Sequence, residues 1–393
     1  VNLGEFGVKT HDAWAQERDP FGDHIGRTEE EQRRQLWWIV HAALAYDVTK
    51  IQNWCWADDP DSVFPWGVAY SNPLRPKPAL LLWRNLGYVS DAIPQAYEPA
   101  NTVFVMPDSW RLGAPEPAAW TGIASALECL LATNVRFDVV NEDAVAGLNP
   151  SPSLVIAPFA SRMAEAAQRA MLRLAEMGAT VYLSSPPTHG PIAALQPSAG
   201  TDDTKTDTPP DQPKGLLRIA VGKGLLLVSR EAWEALPGHD VFVLHPEVTA
   251  DPKQNRYFDV VALAGAAPDA GVTAHEGVWR AAARKANGRT LIALFARSEI
   301  ERAIPVTVRA SGHAVRWSAA GNWPCLAVLD AGGGVLAATG TGELTVDGRA
   351  VGGGGKPWLV ASQDGQPLHI SRRLVVAMTN GGQFRIRNSM RKA

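Results

Sequence analysis

The sequence predicts an α/β fold in its first half and an all-β fold after it. Three observations carry this. Short apolar runs alternate with helical stretches as far as residue 192. Residues 193–214 then hold almost no large apolar side chain. Beyond them, β-rich runs recur between glycine-containing turns.

The first region is residues 1–95. Residues 1–5 read as a strand. Thr28 is placed to cap a helix, with Glu29, Glu30 and Glu31 in the first turn, where the helix dipole favours them. That helix turns Leu36, Trp37, Ile39, Val40, Ala43 and Leu44 inward. A second strand is expected over residues 49–54, then a polar turn at Ala57-Asp58-Asp59-Pro60-Asp61, then a helix over 78–86.

The second region, 101–192, has apolar runs at 102–106, 135–140, 154–157 and 180–183. Helical stretches at 120–132 and 162–177 separate them. Strand alternating with helix predicts a parallel, doubly wound sheet. Residues 193–214 are expected to be a disordered linker, since Thr201 to Pro210 cannot build a core. Residues 215–393 read as β-rich, with one helical insert at 230–236. Their turn signals are Gly222-Lys223-Gly224, Gly332-Gly333-Gly334, Asp347-Gly348, Asp364-Gly365 and Asn380-Gly381. Asp-Gly and Asn-Gly between apolar runs are strong hairpin signals, so an antiparallel sandwich or meander is expected.

Composition narrows the function classes. A chain of 393 residues suits two to three domains. At 46% hydrophobic it can build cores. A net charge of −3 gives no electrostatic case for nucleic acid or an anionic membrane. Cys55, Cys129 and Cys325 lie far apart with no C-x-x-C, so neither a disulfide framework nor a zinc site is expected. No apolar run reaches the length of a membrane helix. No signal peptide is visible, but the chain does not begin with methionine, and no compartment follows.

The residues that could carry chemistry lie near the start. In Val1-Asn2-Leu3-Gly4-Glu5-Phe6-Gly7 an apolar run ends on a carboxylate flanked by glycines. A buried parallel strand delivers a charged side chain to the mouth of an α/β barrel in this way. The alternative is a strand-end glutamate facing solvent. The following strand ends Gln52-Asn53-Trp54-Cys55-Trp56. Indole plates match the C–H faces of sugar rings, and alternate residues of a strand share a face. If the strand persists, Trp54 and Trp56 both face the mouth; otherwise they are core side chains.

Gly4-Glu5-Phe6-Gly7 resembles the nucleophile strand of retaining glycosidases with the eightfold (β/α)8 barrel, especially family 5 cellulases and mannanases. Asn53-Trp54-Cys55-Trp56 resembles their last barrel strand. Phe64-Pro65-Trp66-Gly67-Val68 with Lys77-Pro78-Ala79 resembles the loop that follows. The resemblance implies Glu5 as nucleophile and Trp54 as the sugar-stacking residue, with Trp56 beside it. Asp58 either contacts sugar hydroxyls or belongs to a solvated acidic loop. His11 either lines the cleft or is a solvated loop residue.

Residues 101–185 resemble the flavodoxin-like middle domain, related to glutamine amidotransferases, of family 42 β-galactosidases. That resemblance implies oligomer contacts through this domain. Gly222 to Ser229 resembles the edge of the same domain, leading into an antiparallel C-terminal β-domain. The family's acid/base glutamate follows an asparagine, and Asn141-Glu142, in the middle domain, does not fit. The expectation is therefore the C-terminal portion of a retaining glycoside hydrolase. It would lack the first barrel half and be inactive alone, with carbohydrate as substrate and no cofactor or metal.

Other candidates are weaker. Cys129 lies in an apolar helical stretch, whereas an amidotransferase nucleophile belongs on a tight strand-to-helix turn. Gly352 to Gly355 has no phosphate-loop context. The nine histidines show no ligand spacing. Arg385, Arg387, Arg391 and Lys392 read as a solvated basic tail. Two other classes stay open: a non-catalytic carbohydrate-binding or assembly protein, and an amidotransferase-like enzyme.

Overall fold

The computed structural model describes residues 2–8, 10, 28–45, 48, 50–58, 65–90, 92–93, 97–108, 117–149, 151–196, 216–229, 257–268, 271–273, 278–296, 304–310, 312–319, 325–353 and 358–361. The chain divides into two compact units. One is Val1–Glu98 with Asp269–Ala393; the other is Pro99–Pro268.

The first unit opens with β1 (Asn2–Phe6), α1 (Glu29–Ala45) and β2 (Lys50–Asn53), and the two strands pair in parallel. α1 begins on a capping box. Glu31 N–H donates to Thr28 Oγ1 (3.2 Å), and Thr28 N–H donates to Glu31 Oε2 (2.7 Å). Leu36, Trp37 and Val40 of α1 are buried with Val8, Val68, Ala79 and Leu86 in one cluster. A small hairpin follows, β3 (Ala69–Ser71) and β4 (Leu74–Pro76), with a cis Asn72–Pro73 bond in its turn. α2 (Pro78–Ser90) starts on proline, whose fixed φ suits a first helical position. It runs past the expected end at residue 86 because Val89 has apolar partners to bury against.

The second unit is a six-stranded sheet. Its strands are β5 (Thr102–Met106), β6 (Phe137–Asn141), β7 (Leu154–Ala157), β8 (Thr180–Ser184), β9 (Leu216–Val221) and β10 (Gly224–Ser229). The order is β6-β5-β7-β8-β10-β9; all neighbours are parallel except β9, which forms an antiparallel hairpin with β10. Its helices are α3 (Pro117–Ala132), α4 (Glu165–Met177), α5 (Gly190–Ala194) and α6 (Tyr257–Leu263). Every residue of β7 is buried, as a strand covered on both faces requires. α4 buries Ala167, Ala170, Met171, Leu174 and Ala175, an apolar stripe at helical spacing. It ends on Gly178 with φ +122°, a conformation that L side chains rarely adopt. The expected helical insert at 230–236 lies outside the described residues; of the linker expected at 193–214, residues 193–194 belong to α5, and 197–214 lie outside the described residues. α6 is a helix in a stretch expected to be β-rich.

The first unit resumes with two five-stranded antiparallel sheets. The strands are β11 (Gly271–Thr273), β12 (Val278–Ala286), β13 (Arg289–Ala296), β14 (Ile304–Ala310), β15 (His313–Ala319), β16 (Cys325–Leu329), β17 (Val335–Gly340), β18 (Glu343–Val346), β19 (Arg349–Gly352) and β20 (Trp358–Ala361). One sheet runs β11-β14-β15-β18-β19, the other β12-β13-β16-β17-β20. Ile292, Leu294, Val308, Val315, Trp317, Cys325, Ala327 and Val360 share a core that joins the two sheets. The β18–β19 turn is Asp347-Gly348, with φ +48° and +77°, matching the Asp-Gly signal. Asn287-Gly288 (φ +50° and +73°) makes the same turn between β12 and β13, a hairpin not singled out from sequence.

The second sheet has another layer. Val89 and Ile93 from the α2 end are buried with Leu291, Leu326, Val328, Leu336, Ala337 and Leu359. The strand period of two explains β16: Cys325, Ala327 and Leu329 face the sandwich core, while Leu326 and Val328 face the helical side. Arg289 Nη1 also donates to Ala92 O at 3.1 Å.

Candidate active site

The backbone of Glu5 lies in β1, one residue from the strand's C-terminal end. Register along β1 and β2 runs Leu3↔Ile51, then Phe6↔Asn53. One extra residue therefore sits on β1 at Gly4-Glu5. Such bulges bend a strand and re-aim its side chains, and they concentrate at barrel rims and active sites. β2 ends at Asn53, so the alternation expected to carry Trp54 and Trp56 to one face does not extend to them. Trp54 N–H still donates to Phe6 O at 2.7 Å, which places Trp54 beside the end of the Glu5 strand. Trp54 is 45% exposed and Trp56 63%, so neither is a core residue.

The segment carrying these tryptophans is held by backbone pairing. Val68 and Ala69 N–H donate to Trp56 O (3.2 and 3.1 Å), and Asp58 N–H donates to Ala69 O (2.9 Å). Two glycines permit this closeness. A Cβ on Gly7 would collide with Trp54 O, and one on Gly67 with the Asp58 and Ala57 backbone. The Trp54–Cys55 peptide is cis.

Asp58, expected to face substrate or solvent, is 6% exposed. Its Oδ1 lies 2.7 Å from Lys77 Nζ and accepts Gly67 N–H at 2.9 Å. His11 lies outside the described residues. The Lys77–Asp58 pair escaped sequence reading, because nothing in either residue's local pattern marks them as partners 19 positions apart.

The amidotransferase reading meets different geometry in the second unit. Cys129 is fully buried within α3. The chain does make a tight turn after β7, where Phe159 has φ +53°. The residue there is Phe159, which offers no nucleophile; its N–H donates to Ser184 Oγ (2.9 Å). Glu142 is buried and accepts N–H groups of Asp108 (2.9 Å) and Ala164 (3.3 Å). Burial raises its pKa, partly opposed by those two hydrogen bonds. Among the described residues no cluster of His, Cys, Asp and Glu could hold a metal ion. No described helix is long and apolar enough to cross a membrane.

No family model matches the sequence, and no curated protein matches it either. Solved structures do. The fold is shared with β-galactosidases. The Bacillus circulans sp. alkalophilus β-galactosidase superposes with a TM-score of 0.55 at 13% identity, covering 84% of this chain and 54% of that one. A β-galactosidase from Rahnella sp. R3 gives 0.56 at 13%, with 84% and 55% covered. Gan42B, a family 42 β-galactosidase from G. stearothermophilus, gives 0.52 at 11%, with 84% and 52% covered. The chain thus spans about half the length of the glycoside hydrolases it matches. At these identities the likeness establishes kinship of fold.

Proposed function

We propose that this chain is the C-terminal portion of a retaining glycoside hydrolase acting on β-linked oligo- or polysaccharides. The observation that carries the reading is the β1–β2 edge. A carboxylate-bearing bulge at Glu5 ends beside exposed Trp54, on a fold shared with β-galactosidases.

In this reading a Glu5 carboxylate oxygen attacks the anomeric carbon as the glycosidic C–O bond breaks. The leaving oxygen takes a proton from a second carboxylic acid, contributed by barrel strands outside this chain. Water then attacks the glycosyl ester, gives a proton back to that carboxylate, and releases Glu5 and the sugar. The two carboxyls of a retaining pair stand about 5–5.5 Å apart. Trp54 stacks under the sugar, and Trp56 is a second candidate contact. His11, outside the described residues, is kept as a further candidate for contact with substrate. Asp58, a sequence candidate for hydroxyl contact, is engaged by Lys77 instead and takes no part in the chemistry. Alone, the chain lacks the proton donor and is inactive; joined to the missing barrel half it needs no cofactor. Its flavodoxin-like unit is assigned the oligomer contacts.

The test is a covalent trap. The full protein in which this chain occurs is incubated with 2,4-dinitrophenyl 2-deoxy-2-fluoro-β-galactoside and its glucoside and mannoside counterparts. Its mass is then measured and its peptides mapped. A fluoroglycosyl adduct on the Glu5 peptide is expected. Reaction elsewhere removes Glu5 from the role.

A second reading, a non-catalytic carbohydrate-binding or assembly protein, draws on one observation. The Asp58 carboxylate of this loop is engaged by Lys77, while Trp54 and Trp56 are exposed, so the described part of the loop offers aromatics with its carboxylate already paired. Sugar binding by the full protein without labelling or hydrolysis would favour it.

A further inference from the structure

The first unit contains a buried ion pair that the proposed chemistry does not use. The Lys77 side chain has no solvent exposure, and that of Asp58 has 4%. A buried ammonium is costly unless it is paired and hydrogen-bonded. Lys77 Nζ meets Asp58 Oδ1 at 2.7 Å, donates to Thr10 Oγ1 at 3.1 Å, and stands 5.0 Å from the centre of the Tyr70 ring. Each partner is tied onward. Asp58 Oδ1 accepts Gly67 N–H (2.9 Å), and Thr10 Oγ1 donates to Pro65 O (3.2 Å). Lys77 N–H donates to Val68 O (3.0 Å). Gln32 Nε2, fully buried on α1, donates to Val8 O (2.8 Å) and Gly67 O (3.1 Å).

These bonds converge on three places in the chain: Val8 and Thr10 after β1, Asp58 at the end of the segment 54–58 after β2, and residues 65–68. The first follows the strand of Glu5, and the segment ending at the second holds Trp54 and Trp56. A buried ion pair is weak evidence for stability, because apolar replacements are often as stable. Its directional bonds instead fix one arrangement of groups. Here they anchor the end of the segment that carries two exposed indoles.

We propose that Lys77 and Asp58, closed by Thr10, are positioning residues that set the Trp54–Trp56 surface against the end of the Glu5 strand. This rests on the reading of those tryptophans as the sugar-binding surface. Neither Lys77 nor Asp58 touches substrate.

The experiment labels the chain with 5-fluorotryptophan and records 19F spectra, assigning Trp54, Trp56, Trp37 and Trp317 by single Trp→Phe changes. The neutral pair Lys77→Met with Asp58→Asn removes both charges and leaves Gly67 N–H an acceptor. The Trp54 and Trp56 signals are expected to shift or broaden, while buried Trp37 and Trp317 stay in place and the melting temperature changes little. Unmoved Trp54 and Trp56 signals in a folded variant overturn the proposal. So does an equal movement of all four, which marks the pair as general scaffolding. If the double variant does not fold, Thr10→Val decides: a smaller displacement of the same two signals supports the proposal, and none overturns it. Titration with methyl β-galactoside is read on the same signals in the full protein, where affinity should fall about tenfold in the variant. A wild-type protein that ignores all sugars counts against the proposed function, while the ligand-free spectra still decide the positioning claim.

Discussion

Trp37 and His41 lock each other one helical turn apart inside the first unit. Trp37 Nε1–H donates to His41 Nε2 at 2.9 Å, and His41 Nδ1 lies 2.8 Å from Trp37 O, one turn back. The ring must therefore be neutral, with its proton on Nδ1: the indole needs an acceptor and the carbonyl needs a donor. Burial pushes the His41 pKa down to about 3, against the smaller opposing effect of the Trp37 hydrogen bond.

That depression sets a pH dependence. An unfolded histidine takes a proton near pH 6.5, whereas the folded one resists to about pH 3. The unfolded state thus binds more protons between these values. His41's contribution to stability is complete above pH 6.5 and is lost as pH falls toward 3. The slope is about 1.4 kcal/mol per pH unit for one site. Urea unfolding followed by tryptophan fluorescence should show a loss of about 2 kcal/mol from pH 7 to 5. His41→Phe should remove that part of the slope; an unchanged slope would assign the acid sensitivity elsewhere.

Two glycines of the first unit should respond oppositely to alanine. A Cβ on Gly67 would run into the backbone of Ala57 and Asp58, and backbone cannot swing aside. Gly67→Ala should cost about 1–3 kcal/mol, as overpacking does. Gly87, within α2, has nothing within 4 Å of a built Cβ. Gly87→Ala should stabilise by about 0.5–1 kcal/mol through helix propensity alone. Thermal melts of both variants give the comparison, and like signs would refute it.

The three cysteines should separate by reactivity. Cys129 and Cys325 are buried, and burial raises the Cys325 thiol well above the usual range. Cys55 is partly exposed, between Trp54 and Trp56, with its Sγ 3.0 Å from Ala57 O. Under native conditions a disulfide reagent should modify Cys55 first, and all three thiols only after denaturation. Early modification of Cys129 or Cys325, mapped by mass, would contradict the packing.

Local physics made part of this structure readable in advance. Thr28 with Glu31 is a capping box written in four residues, and Asp347-Gly348 states its own turn. Glu5 is a candidate from sequence because glycines flank a carboxylate at the end of an apolar run. The bulge that sets it apart is a cross-strand property, invisible in one strand. The β3–β4 hairpin was missed because its strands are three residues each, too short for a period to show. Asp58 misled: an acidic turn next to proline looks solvated, and only the fold brings Lys77, the residue before α2, against it.

The covering of the second sandwich sheet yields a prediction about cooperativity. β16 is buried at all five positions because its two faces serve different layers. Leu326, fully buried, packs with Val89 and Ile93 of the N-terminal segment, while its neighbour Cys325 packs with Trp317 in the sandwich. Leu326→Ala leaves a cavity on the helical side only and should cost about 2–5 kcal/mol. If the N-terminal helices and the sandwich unfold as one, the loss must appear equally at both ends. Trp37 in α1 and Trp317 in β15 are buried reporters in those two places. Their 5-fluorotryptophan signals should vanish together in a denaturant series, at a midpoint lowered by the same amount in the variant. A midpoint that falls for Trp37 and not for Trp317 would show the sandwich holding without its helical layer.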